Sequence, residues 1–311
     1  MAGNILVIRG GAIGDFILTL PVLEALRQQF PKARLEVLGY PHIAQLAMLS
    51  NLADAVLPIE ARALAGFFAR GGSLDPGMAS MFGRFNLIIS FLFDPDGIFR
   101  ANVALCSKAK FLQGPHRPGE DSAHHATEIF LQPLEQLAIF GADATPRLRI
   151  AEHAQKESAA SELGTGSWFA AHPGSGNETK NWPEANWRAL LSAIAERTDR
   201  RILLIGGEAE GDRLSGLAKS LPAERTRVAQ NLPLAELAVL LSRCERYIGH
   251  DSGISHLAAA LGVSGHILWG ETALAVWGPR GACMQILHSP DGLEDLAPDM
   301  VTTAILEALR S

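Results

Sequence analysis

Asn4-Ile5-Leu6-Val7-Ile8-Arg9-Gly10-Gly11-Ala12-Ile13-Gly14-Asp15 is the stretch on which the reading of the fold turns. Residues 5–8 are unbroken apolar and mostly β-branched, as a buried strand requires, and the glycines at 10, 11 and 14 mark a tight turn. Residues 16–30 then follow with helical periodicity. Strand, glycine turn and helix in that order begin a strand-helix-strand unit, and such units in series build a parallel sheet.

The alternation continues outward along the chain. In the first half it predicts further strands at 35–38, 55–58, 87–91 and 110–112, with helices near 42–49 and 123–140. In the second half it predicts strands at 168–171, 202–205, 247–249, 266–269 and 285–288, and helices at 186–197, 210–220, 234–242, 252–261 and 298–309. Between 146 and 166 the strand pattern lapses into Ala, Glu, Ser and Gly. A chain of 311 residues also exceeds what one core usually supports. Two domains are therefore expected, 1–155 and 156–311, with the last helix able to pack back on the first. No solenoid repeat or low-complexity tract interrupts the pattern.

Composition sets broad limits. With 48% hydrophobic and 19% charged residues the chain reads as globular and ordered. Its apolar strings fall well short of the roughly 20 residues that span a bilayer, and Met1 leads into the first strand without a basic leader. A cytoplasmic location is expected. Cys106, Cys244 and Cys283 are odd in number and widely spaced, which fits reduced thiols used in packing. The net charge of −6 is uneven: residues 1–150 hold 13 Lys/Arg and 13 Asp/Glu, leaving 14 and 20 to the rest. Arg62, Arg70, Arg84, Arg100, Lys108, Lys110 and Arg117 form a basic span against Asp75, Asp94 and Asp96. That span reads either as a face for an anionic partner or as solvated surface. Nucleic acid is not an expected partner.

Five polar motifs, at 10–15, 172–176, 206–210, 250–253 and 270–272, each follow a predicted strand. In a parallel sheet such loops share the ligand-binding edge, and two facing sheets would gather all five around one cleft. Asp15 fits two roles. It is an ordinary acid for a helix start, and it is a carboxylate able to accept a proton from an attacking hydroxyl. His172-Pro173-Gly174-Ser175-Gly176 with Lys180 and Trp182 reads as a phosphate cradle, or as a turn with a surface lysine and a surface tryptophan anchor. Asp251-Ser252-Gly253-Ile254-Ser255-His256 starts a helix in any reading, and its free amides suit a diphosphate. A Ser-His-Asp hydrolase is rejected there, since no nucleophile elbow exists and His256 fits better as a buried loop anchor. Glu208 and Glu210 suit either a ribose or a first helical turn. Asp94-Pro95-Asp96 has no further ligand at metal spacing, so no metal or other cofactor is expected.

Taken together, these segments resemble glycosyltransferase family nine, the bacterial ADP-heptose:lipopolysaccharide heptosyltransferases. The resemblance rests on Ile5 to Arg9 with Gly14-Asp15 and Leu18-Thr19-Leu20-Pro21, on His172 to Ser175 with Lys180 and Trp182, on Asp251-Ser252-Gly253 with Ser255 to Ala259, and on Gly270-Glu271-Thr272. It implies an α/β GT-B fold of two facing Rossmann-like domains with parallel sheets, the acceptor bound by the first and a nucleotide sugar by the second. It implies metal-independent, inverting transfer of heptose or a related sugar, with ADP-heptose as first-choice donor and a lipopolysaccharide-core, lipid-linked or other glycan as acceptor. A peripheral contact with the inner membrane face would follow from such an acceptor. On this resemblance Asp15 would be the base and Lys180 the catalytic partner of the donor phosphates. Gly14, Ser175, Gly176, Asp251, Ser252, Gly253, His256 and Thr272 would line the donor, and Glu208 would address the ribose. Arg62, Asp94, Arg100 and Arg117 would face the acceptor. Ser175-Gly176-Asn177 replaces the family's threonine-rich loop, Trp277-Gly278-Pro279-Arg280 is unusual, and Asp96 replaces a typical amide. A nucleotide-sugar hydrolase or epimerase, and a sugar-nucleotide-binding protein without turnover, are the competing readings.

Overall fold

A computed structural model describes residues 3–150, 167–207, 210–281 and 283–310. Its contacts divide the chain into two units, Met1–Pro146 and Arg147–Ser311. The boundary expected at 155/156 lies outside the described residues.

The first unit runs β1 (Asn4–Arg9), α1 (Ile13–Gln29), β2 (Arg34–Gly39), α2 (Pro41–Leu49), β3 (Ala55–Pro58), α3 (Pro76–Gly83), β4 (Leu87–Ser90), α4 (Ile98–Ala104), β5 (Lys110–Gln113) and α5 (Ala126–Leu131). All pairings are parallel, in the order β3-β2-β1-β4-β5. β1 is central, with Ile5 beside both Leu35 and Leu87, and a strand covered on both faces needs the continuous apolar run seen at 5–8. Leu6, Ile8 and Ile88 share a core with Phe67, Phe82 and Phe99, and the Phe67 and Phe82 ring centroids are 4.8 Å apart. The helix expected over 123–140 is instead α5 followed by a 3-10 turn, Gln132–Leu137, in which Pro133 supplies no N–H for an α pattern. α3, α4 and the 3-10 turn Arg62–Phe68 have eight, seven and seven residues, too few for the sequence to display a helical period.

The second unit runs β6 (Trp168–His172), α6 (Glu184–Arg197), β7 (Arg201–Gly206), α7 (Gly211–Lys219), β8 (Thr226–Gln230), α8 (Leu234–Leu241), β9 (Cys244–His250), α9 (Gly253–Ala260), β10 (Ser264–Trp269), α10 (Leu274–Trp277), β11 (Met284–His288) and α11 (Pro298–Ala308). Its six parallel strands lie in the order β11-β10-β9-β6-β7-β8. Both sheets therefore follow the doubly wound order, which reverses between β1 and β4 in one and between β6 and β9 in the other. β8 escaped the sequence reading because it is an edge strand with only Ala229 buried. The last helix, α11, buries Val301 and Ile305 with Trp187 and Leu190 of α6, so it is built into the second unit's own core. Cys244 is buried, but Cys283 is exposed, contrary to the expectation that all three thiols serve packing. Among the described residues no helix is long and apolar enough to cross a membrane.

Candidate active site

Where the first sheet reverses, a cavity of about 420 Å³ opens at its carboxyl edge. Every strand end contributes to it: Gly11 beyond β1, Tyr40 beyond β2, Glu60 beyond β3, Phe93 beyond β4 and Arg117 beyond β5. Asp15 lines the same cavity from the first turn of α1.

Asp15 is fixed from two sides. One oxygen, Oδ2, accepts the Ala12 N–H at 3.0 Å, the usual use of an acid at a helix start. The other, Oδ1, lies 3.5 Å from Nη2 of Arg9, whose side chain is only 2% exposed. Arg9 also donates through Nε and Nη2 to the Asp15 carbonyl, at 3.3 and 3.2 Å, and through Nη1 to the His116 carbonyl at 2.8 Å. Its guanidinium carbon sits 4.5 Å from the centre of the Phe130 ring. Burial pulls this arginine down to about 10, against the opposing pull of the Asp15 charge. Gly11 completes the pocket: its φ is +98°, and a Cβ there would stand 2.7 Å from Asp15 Oδ2. The sequence reading gave Arg9 no role. Its only signal was a charged residue ending a buried strand.

The four residues expected to face the acceptor separate. Arg117 lines the cavity and pairs with Glu120 at 3.7 Å. Arg62 and Arg100 are exposed and are not among the lining residues. Asp94 accepts the Phe99 and Arg100 N–H groups, both at 3.0 Å, so its two oxygens cap the start of α4. It is not among the residues that line the cavity. Among the described residues no cluster of three or more His, Cys, Asp or Glu is arranged for a metal ion.

In the second unit, the loops after β6 and β9 meet at that sheet's reversal point. Lys180, ending the 3-10 turn Glu178–Lys180, places Nζ 2.5 Å from Oδ2 of Asp251. Beneath them His250 is fully buried. Its Nε2 accepts the Trp182 N–H at 2.9 Å and Nε1–H of Trp187 at 3.3 Å, while Nδ1 faces the Gly174 carbonyl at 3.3 Å. That pattern requires a neutral ring with its proton on Nδ1. Trp182 is buried and donates to the Leu296 carbonyl at 2.9 Å, so it is no surface anchor. Ser252 caps α9 by accepting the Ser255 N–H, and Gly253 opens that helix. His256 is buried in its first turns. Ser175 Oγ lies 2.8 Å from Asn181 Oδ1, and Gly176 is exposed with φ +74°. Thr272 offers its carbonyl to Trp269 Nε1 at 2.6 Å. Glu208 lies outside the described residues. Glu210, which the assignment of the ribose passed over, is buried, accepts the Gly207 N–H at 2.8 Å and presses on Gly174, where a Cβ would meet its Cγ at 2.3 Å.

Burial lowers His250 to about 3 and His172, at the end of β6, to about 4. Both folded values lie below the ordinary 6.5, so between them the unfolded chain binds more protons. The resulting stability is complete above about pH 6.5 and is lost as pH falls toward 4 and 3. Ring resonances of both histidines should remain those of neutral imidazole at pH 5 by NMR, with the melting temperature declining from about pH 6.5 downward. Protonation of either ring near pH 6.5 would contradict the buried network.

The family model of glycosyltransferase family 9 (heptosyltransferase) matches residues 121–297, more than half of the chain. The chain belongs to glycosyltransferase family 9. The matched span holds the whole Lys180–Asp251 region, whereas Asp15 and Arg9 precede it. Among individual relatives, the chain is 39% identical to lipopolysaccharide heptosyltransferase 1 of Pseudomonas aeruginosa over 103 residues, 33% of this chain and 28% of the relative. It is 23% identical to lipopolysaccharide heptosyltransferase 3 of Escherichia coli over 86% of this chain and 82% of that one. Matches to four heptosyltransferase 1 relatives span only 28% to 40% of those proteins' length. By structure, the chain is similar to a family 9 glycosyl transferase from Veillonella parvula, with TM-score 0.81 and 19% identity over 99% of this chain and 98% of the other. It is also similar to E. coli heptosyltransferase WaaC with ADP, with TM-score 0.75 and 20% identity over 98% and 99%. Its fold is thus the GT-B fold of family 9 heptosyltransferases, built from two Rossmann-like units with wholly parallel sheets.

Proposed function

We propose that this family 9 protein transfers heptose, or a closely related sugar, from a nucleotide donor to a lipopolysaccharide-core or other glycan acceptor, inverting the anomeric centre without a metal. ADP-heptose is the first-choice donor, since a structural neighbour was solved with ADP and again with ADP-2-deoxy-2-fluoro heptose. The observation that carries the reading is the Asp15 carboxylate, braced by Arg9 and the Ala12 amide at the wall of a cavity.

In the reaction, the acceptor hydroxyl gives its proton to Asp15 while its oxygen bonds to the anomeric carbon. The bond from that carbon to the diphosphate oxygen breaks, and the electron pair leaves with the diphosphate. Lys180 and the first amides of α9 meet the charge that develops there. An ammonium has three N–H donors, so one held by Asp251 leaves two for phosphate oxygens. Asp251, itself an anion, serves this site by aiming Lys180 rather than by touching phosphate. A lipid-linked acceptor would draw this cytoplasmic protein to the inner membrane face as a peripheral partner.

Titration with ADP, UDP, GDP and their sugars, followed by transfer assays over an acceptor library, tests the proposal. ADP compounds should bind best, and transfer should persist in EDTA. Absence of nucleotide binding at millimolar concentration sinks it, and sugar release without any acceptor would mark a hydrolase or epimerase instead. Lys180→Ala is expected to weaken ADP-sugar binding about tenfold or more, the scale of a lost charge-assisted hydrogen bond. Calorimetry showing unchanged affinity, with an unchanged rate, would remove Lys180 from the phosphates.

A further inference from the structure

The 3-10 turn Arg62–Phe68, α3 and α4 form a layer over one face of the first unit's sheet, where Phe67, Phe82 and Phe99 enter the core beside Leu6, Ile8 and Ile88. Its charges are one-sided. Segments 61–84 and 98–110 hold Arg62, Arg70, Arg84, Arg100, Lys108 and Lys110 against a single acid, Asp75, in a chain whose net charge is −6. Asp75 accepts the Met78 N–H at the start of α3, Arg84 pairs with the buried Glu36, and Lys110 donates to the Gln136 carbonyl. The other four cations, Arg62, Arg70, Arg100 and Lys108, are exposed and meet no acid among the described residues.

The same layer leaves apolar surface in water. Arg100, Ala101, Ala104 and Leu105 are exposed, and helical spacing sets them along the outer side of α4. Leu105 is 76% exposed, more than any other large apolar residue among those described. Asn102 ties this helix to the 3-10 turn by donating to the Phe67 and Ala69 carbonyls, at 3.0 and 2.9 Å, so Phe68 and Arg70 stand beside it. Phe68, 46% exposed, lies against Phe99 of α4 with ring centroids 5.0 Å apart. A helix with apolar residues on both sides normally has both covered. Here the chain covers only the inner one. Exposed apolar side chains, ringed by unpaired cations and free of exposed acids, suit a plane of anionic headgroups above hydrocarbon. A second copy docking through this face would instead set like charges against each other.

We infer that the outer face of α4 and the adjoining 3-10 turn is a docking surface for an anionic lipid bilayer, with Leu105 entering the acyl boundary and Arg70, Arg100 and Lys108 meeting headgroup phosphates. The inference rests on the peripheral contact proposed above and names the face that makes it. Arg62 and Arg100 stand outside the lining of the Asp15 cavity, so this surface is separate from the reacting groups.

Co-sedimentation with vesicles tests this without donor or acceptor. Wild type should bind vesicles of equimolar phosphatidylglycerol and phosphatidylcholine, release them as salt is raised, and ignore pure phosphatidylcholine. Leu105→Glu should weaken vesicle binding about tenfold or more, and so should Arg70→Gln, Arg100→Gln and Lys108→Gln combined. These side chains are exposed, so melting temperature and ADP affinity should match wild type in both variants. Four results overturn the inference: no binding of wild type to either vesicle, equal binding to both, variant affinities within about twofold of wild type, or self-association through this face that Leu105→Glu disperses while vesicles go unbound. The vesicles carry no glycan and ADP binding is read separately. Failure here therefore leaves ADP binding intact, whereas failure of the transferase proposal removes it.

Discussion

Asp15→Asn should lower the transfer rate by about 10²- to 10⁴-fold while leaving the donor dissociation constant nearly unchanged. The substitution keeps shape and volume, and an amide oxygen can still accept the Ala12 N–H that now ends on Oδ2. What disappears is the ability to take a proton from the attacking hydroxyl. The proposed donor contacts all belong to the second unit, so on that proposal calorimetry with the nucleotide sugar should register little change. The decisive comparison is kcat in the transfer assay against that binding constant. Normal turnover would take the role of base away from Asp15, and a matching loss of donor affinity would point to a disrupted fold instead.

Arg9→Met carries the second large effect, and it reaches stability as well as rate. Removing one partner of a buried charge pair typically costs about 3–5 kcal/mol, and Asp15 at 26% exposure places this pair near the lower end. The Asp15 and His116 carbonyls would also lose their guanidinium donors. Denaturant unfolding should show a drop of about 3 kcal/mol, with transfer reduced in the fraction that remains folded. Arg9→Lys separates charge from geometry: an ammonium restores the positive charge but not the planar fork that binds two carbonyls and a carboxylate together. It should recover part of the stability and less of the rate. The Arg9→Met and Asp15→Asn effects on stability should fail to add, because the two side chains interact directly. A loss below about 1 kcal/mol for Arg9→Met would refute the bracing role.

The contrast between Asp15 and Arg9 explains what could be read from sequence. β1 and β4 were legible because the buried stretch of an interior parallel strand is apolar, and the glycines after β1 mark a turn that the backbone itself requires. Edge strand β8 has no such obligation, and its polar residues concealed it. Asp15 and Lys180 stood out as charges in the segments that follow strands β1 and β6, but their ion-pair partners did not. Arg9 belonged to the strand itself, and Asp251 was expected to line the donor with no sign of its ion pair with Lys180. The partners of Asp94 were equally hidden, since the sequence near a basic span gives no sign that both its oxygens meet backbone amides. These distinctions depend on long-range partners, such as Arg9 with His116 or Lys180 with Asp251, and local patterns carry no record of them.

His250 has a further meaning for anyone altering the donor specificity of this protein. One imidazole ties the backbone at Trp182, the indole of Trp187 and the carbonyl of Gly174 into a single rigid frame. The loops that display Ser175, Lys180 and Asp251 therefore behave as one cassette rather than as separable parts. Grafting either loop alone from another nucleotide-sugar enzyme would break the frame that shapes both. A transplant would have to carry the histidine and both tryptophans with it.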